Sequence, residues 1–282
     1  MAHYTEPSFT KKAKHENFPV GSWLLTNKLR PHIACFYDFA RCADDIADDP
    51  EMGTEEKIKR LEGFEEALLG KGNGNSAFQK ALNMHESLKE SGVSPQHCRD
   101  LLCAFKQDAI KSRYDDWADL ISYCALSAAP VGRYMIDLHG EPDMSYERSD
   151  SLCSALQLIN HLQDIGSDYR TLDRVYLPMN WVRDAGLNLI DLNCNEATPA
   201  LRQVLEWTLV GINEQLGDSE NLHASLSSVR LSLETSIIYQ IARKLHQKLR
   251  ENDPLSKHIK LSKLELASCS IKGVATGLLC KF

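Results

Sequence analysis

Apolar residues recur every three or four positions along nearly the whole chain, and no segment shows the period-two alternation of a half-buried strand. This periodicity predicts an all-α fold, a single helical bundle. Pro31 suits the first turn of a helix over 31–49, and Thr54 with Glu55 and Glu56 starts the next, which ends near "GKGNGNS", a flexible loop at residues 70–76. Ser94-Pro95 opens another helix. Long helical patterns follow at about 116–139, 145–167, 198–216, 219–250 and 255–280, while "DRVYLP", residues 173–178, reads as a short extended piece. With 282 residues, no repeat and no linker-like stretch, one domain is expected, with residues 1–27 as an N-terminal segment and 255–282 as a C-terminal helix.

Composition narrows the function. A net charge of -7 argues against nucleic acid as a partner. No run reaches the roughly 18 apolar residues of a membrane span, and "MAHYTEPSFTKKAKHENF" lacks the apolar stretch of a secretory signal. Nine cysteines stand singly, without metal-ligand spacing, as in a reducing cytoplasm. Charge is uneven: Arg243 to Phe282 carries a net +6 and the preceding residues -13. Two readings fit that tail. It is a solvated basic face, preferred on the tail alone, or Lys257, Lys260, Lys263 and Lys272 attract an anionic membrane surface in a protein peripheral to the membrane.

Four carboxylates crowd into "ARCADDIADDP": Asp44, Asp45, Asp48 and Asp49. Like charges one helical turn apart repel by roughly 0.2–0.5 kcal/mol per pair. On a helix over 31–49, Ile33, Phe36, Ala40, Ala43 and Ala47 form a core stripe. Tyr37, Arg41, Asp44, Asp45 and Asp48 form the adjoining one. In "SALQLINHLQDIGSDYR", Ala155, Leu156, Ile159 and Leu162 face the core, while Gln157, Asn160, Asp164 and Asp168 form a second polar stripe. Either alone reads as solvated surface. Together they suggest a cleft in which facing helices hold Mg²⁺, since hard divalent cations take carboxylate and amide oxygens and Mg²⁺ leaves positions for phosphate oxygens. Arg41 and Arg174 then either complete an anion's coordination or pair with neighbouring aspartates.

"YDFARCADDIAD" and "LQLINHLQDIGSDYRTLDRVYLP" resemble the two aspartate motifs of the squalene/phytoene synthase family, and the resemblance runs from about His15 to Tyr239. It implies the isoprenoid synthase fold with a central cavity. It also implies Asp44, Asp48, Asn160, Asp164 and Asp168 as Mg²⁺ ligands, and Tyr37, Arg41, Gln157 and Arg174 beside a diphosphate. Tyr123 in "SYCALSAAPVG" and Tyr239 in "SIIYQIAR" would stand at the reacting centre. "HENFPVGSWLL", "SAAPVGR" and "NHLQD" look most like the family's hydroxysqualene synthases of hopanoid pathways. Their substrate would be presqualene diphosphate, with no NADPH. Head-to-head condensing members usually carry a serine-rich S-x-S-F where this chain has His15-Glu16-Asn17-Phe18, and Arg where Gln163 stands. Asp168 and Arg174 are also one residue further apart than is usual.

The expected mechanism is ionisation of presqualene diphosphate within an apolar cavity, stabilised by Tyr37, Tyr123 and Tyr239, followed by capture of the cation by water. His15, Glu16 or Asn17 would position that water if the N-terminal segment folds over the cleft; a plain N-terminal cap is the alternative. Rival functions are a condensing enzyme making presqualene diphosphate, squalene or phytoene, a non-catalytic assembly factor, or a helical interaction protein.

Overall fold

The computed structural model describes residues 26–71 and 76–280. His15, Glu16 and Asn17, with the whole segment expected over the cleft up to residue 25, lie outside the described residues.

Helix α1 (Arg30–Asp48) carries Pro31 in its first turn, where a missing N–H costs nothing. It stops because Pro50 disfavours helical geometry in the residue before it, and Asp49 is accordingly extended (φ -61°, ψ 111°). Its buried face is Ile33, Phe36, Phe39, Ala43 and Ala47. Phe39 therefore takes the place expected for Ala40, which is only half-buried. The difference is physical: Phe39 reaches Phe64 on α2 (Thr54–Leu68), ring centroids 5.2 Å apart, and fills space an alanine leaves empty. Helices α3 (Gln79–Ser91) and α4 (Gln96–Asp108) close this half of the core.

The segment expected as one helix over 116–139 is two, α5 (Trp117–Ser127) and α6 (Ala129–Leu138). Pro130 has no N–H to give to residue 126 and its ring clashes with that carbonyl, so the chain breaks at Ala128 and restarts with Pro130 in the first turn. Tyr134 on α6 stacks on Phe36 of α1 at 4.0 Å, and Met135 packs against both halves of the core.

Helix α7 (Tyr146–Leu172) runs 27 residues through the second half, with Leu152, Ala155, Leu156, Ile159, Leu162 and Ile165 buried. It ends on Asp173 in left-handed conformation (φ 50°), which Asp tolerates better than most residues. The chain then turns into β2 (Val175–Pro178), paired in parallel with β1 (Arg113–Tyr114). This two-stranded ribbon is the only sheet among the described residues. The short α8 (Met179–Asp184) leads to α9 (Pro199–Asp218).

The helix expected over 219–250 is also interrupted, into α10 (Leu222–Ser225) and α11 (Val229–Glu251). The buried Glu141 carboxylate accepts the backbone N–H groups of Ser227 (2.7 Å) and Ser228 (2.5 Å) at the break, and Ser228 caps α11. The C-terminal helix is shorter than the expected 255–282. It is α12 (Lys263–Leu279), started by a capping box of Ser262 and Glu265. Residues 253–262 instead cross α7 as an irregular strap. No helix among the described residues is long and apolar enough to cross a membrane.

Candidate active site

The two acidic stripes meet, and Arg174 joins them. Its Nη1 donates to Asp48 Oδ1 at 2.5 Å, and its Nη2 donates to the carbonyls of Ala47 (3.2 Å) and Asp108 (3.1 Å). Asp173 makes a left-handed turn that folds the chain back, and the Arg174 backbone N–H donates to the Asp168 carbonyl at 3.2 Å. A planar guanidinium reaches three oxygens in this way, where an ammonium would not.

Carboxylates are concentrated here beyond what one cation neutralises. Burial raises the Asp44 carboxyl far above its ordinary value, and Asp48, Asp108 and Asp45 add to this against the opposing pull of Arg41. Asp168, half-buried, is pushed up to about 7 by burial and then by Asp164 and Asp48. Aspartates from α1 and α7 therefore feel one another directly. Arg41, half-exposed, pairs with Asp44 (2.8 Å) and Asp45 (3.3 Å). Asp164 lies at the open side, raised by burial, with His258 of the strap at 3.6 Å. Gln163 is buried and its amide N–H donates to the carbonyl of Ile259 in the same strap. Tyr37 and Asn160 are half-buried on the expected stripes, and Gln157 lies 3.1 Å from the His161 ring.

Behind the acids lies an aromatic wall. Tyr123 donates to Asp108 Oδ2 at 2.8 Å and Tyr176 donates to Oδ1 at 3.2 Å. The Tyr123 ring lies 5.5 Å from Tyr176, and Tyr176 stacks on His161 at 3.6 Å. Burial first, then the Arg174 charge, lowers His161 to about 3, so the ring stays neutral. Asp108 was not found by sequence reasoning. It is a lone acid at the end of α4, eight residues from the other carboxylate on that helix, and only the fold gives it meaning. Burial pushes it up to about 6, against Arg174 and the Tyr123 hydrogen bond. Tyr239 is not joined to this cluster: half-buried on α11, it has Arg243 and Glu220 as polar neighbours.

An all-α bundle in which two acidic helices meet beside an aromatic wall is the architecture of isoprenoid synthases. In overall fold the chain is similar to a squalene synthase from Alicyclobacillus acidocaldarius (TM-score 0.72, 27% identity, 86% of this chain and 92% of that one). It also matches a dehydrosqualene synthase (TM-score 0.74, 21% identity, 97% and 94%), a likeness of fold alone. The squalene/phytoene synthase family model matches residues 11–265. A hydroxysqualene synthase of Rhodopseudomonas palustris is 40% identical, covering 98% of this chain and 94% of its own length. The one from Zymomonas mobilis is 36% identical (90% and 86%). The chain belongs to the squalene/phytoene synthase family.

Proposed function

We propose that this protein is a magnesium-dependent hydroxysqualene synthase, converting presqualene diphosphate and water to hydroxysqualene and diphosphate in squalene and hopanoid biosynthesis. The observation that carries the reading is the meeting of two acidic helices at Arg174, in a chain whose relatives over nearly its full length bear that name.

The donor set fits magnesium. Asp44, Asp48, Asn160, Asp164 and Asp168 offer carboxylate and amide oxygens, and the raised Asp44 and Asp168 carboxyls mark negative charge that a cation would stabilise. No group of three or more His, Cys, Asp or Glu among the described residues forms a ready metal cluster. When bound, magnesium supplies Lewis-acid neutralisation of the leaving diphosphate.

The chain's own groups do the rest. Arg41, half-exposed beside Asp44, meets the anion's charge, while Arg174, held by Asp48 and the Ala47 and Asp108 carbonyls, fixes the acids around it. The carbon–oxygen bond breaks with its electron pair leaving on diphosphate, so a carbocation remains. Tyr123 faces it with a ring whose phenol is fixed on Asp108, and Tyr37 lies across on α1. Water then adds its oxygen to the rearranged cation and loses a proton to solvent. The balance needs no hydride, so NADPH is not consumed.

The test is incubation of purified protein with presqualene diphosphate and Mg²⁺ in ¹⁸O-water without NADPH, followed by mass analysis. An alcohol carrying solvent oxygen is expected. Squalene formed only with NADPH, or turnover of farnesyl diphosphate, would assign the chain to the condensing branch instead.

A further inference from the structure

Helix α12 is packed with its small residues inward and its large ones outward. Cys269, Gly273 and Gly277 form the buried seam against α11. A Cβ on Gly273 would lie 2.6 Å from the Ile237 Cα, and one on Gly277 would lie 2.9 Å from Leu233 Cδ2. The two backbones approach that closely only because these positions have no side chain. The opposite face presents Leu264 (84% exposed), Ile271 (71%) and Leu279 (83%), with Leu278 and the exposed Ala267 and Ala275 between them. Steps of three, four, four and three from Leu264 to Leu278 make one continuous stripe.

A helix of a self-contained domain turns its large apolar residues to the core. This one does the reverse, and an exposed apolar stripe of that length marks a surface that is covered in use. We infer that α12 docks this protein on an anionic phospholipid surface, with Leu264, Ile271, Leu278 and Leu279 entering the headgroup boundary and the flanking lysines contacting lipid phosphates.

Charge selects lipid over a second copy of the chain. On a helical projection Lys263 and Lys272 lie on the two sides of the stripe, and Lys257 and Lys260 precede it; all four are exposed. The helix's own acid, Glu265, is engaged by Lys248 at 2.9 Å. Two copies meeting along this face would set lysines against lysines, whereas an anionic surface attracts them all. The rest of the chain is strongly acidic, so the attraction is local to this helix. The strap leading into α12 is the segment that contacts Asp164 through His258 and Gln163 through Ile259. The docked face is therefore joined by a few residues to the open side of the acidic recess.

The proposal rests on the surface and not on the reaction, so it is tested without substrate. The full chain is floated with vesicles of phosphatidylglycerol and phosphatidylcholine, and with phosphatidylcholine alone. Wild type is expected to float with the anionic vesicles only. Binding should fall at least tenfold in Leu264→Ser/Ile271→Ser and in Lys260→Gln/Lys263→Gln/Lys272→Gln, both with unchanged helical circular dichroism. Failure of wild type to float, equal flotation with neutral vesicles, or equal binding by either variant would overturn it. So would sedimentation showing a dimer that the Leu264→Ser/Ile271→Ser variant dissociates.

Discussion

Arg174 and Asp48, 126 residues apart in the chain, form a 2.5 Å ion pair that ties the end of α1 to the turn after α7. The same guanidinium also holds the Ala47 and Asp108 carbonyls, so its removal strands buried acceptors as well as a carboxylate. Arg174→Ala should lose roughly 2–4 kcal/mol of stability, toward the low end because Asp48 remains partly solvated. Arg174→Lys should recover the charge and not the geometry. Urea unfolding checks the first, and diphosphate release, impaired in both variants, checks the second.

Asp164 is set apart by its exposure. Its side chain is half-exposed and its one ion-pair contact among the described residues is with His258 of the strap. Asp164→Ala should therefore change stability by no more than roughly 0.5 kcal/mol while abolishing diphosphate release. Retained turnover would remove it from the ligand set.

Asp108 gives a pH signature. Its carboxyl sits at about 6 in the folded protein, against about 3.9 in an unfolded chain. The folded state thus holds the proton more tightly, and ionisation penalises folding as pH rises from about 4 to 6. Asp108→Asn lacks that penalty. The variant's stability relative to wild type should improve across this window, by at most roughly 3 kcal/mol, and level off above it. Chemical denaturation of both proteins from pH 4 to 7.5 measures the difference; a flat difference would mean Asp108 is not held as a raised acid.

The seam of α11 and α12 is sensitive to a single methyl group. Gly273→Ala places a Cβ against the Ile237 backbone, which cannot rotate away. A loss of about 1–3 kcal/mol is expected, even though alanine favours helix by roughly 1 kcal/mol over glycine. Thermal unfolding reads the loss, and limited proteolysis should show α12 released first.

Most of the helices, and both acidic stripes, were legible because helical spacing is a local property. Leu156, Ile159 and Leu162 had to be buried if Asn160, Asp164 and Asp168 were to share a face. The misreadings came from non-local or competing physics. Pro130 broke a helix whose apolar pattern ran on, and Glu141 interrupted another from across the fold by capping Ser227 and Ser228. Phe39 displaced Ala40 because Phe64 stood opposite it. Asp108 carried no signal at all, since its partners Tyr123, Tyr176 and Arg174 arrive from 15 to 68 residues away. The strap over α7 was hidden beneath a helical pattern that begins only at the Ser262 cap.

The central claim is that α1 and α7 act together on one metal-bound diphosphate. Calorimetry of inorganic diphosphate binding, with and without Mg²⁺, tests it on wild type, Asp44→Asn and Asp168→Asn. Binding should require Mg²⁺ and weaken at least tenfold in each variant, although the two residues lie on different helices. Binding unchanged by Asp168→Asn, or independent of Mg²⁺, would contradict the account.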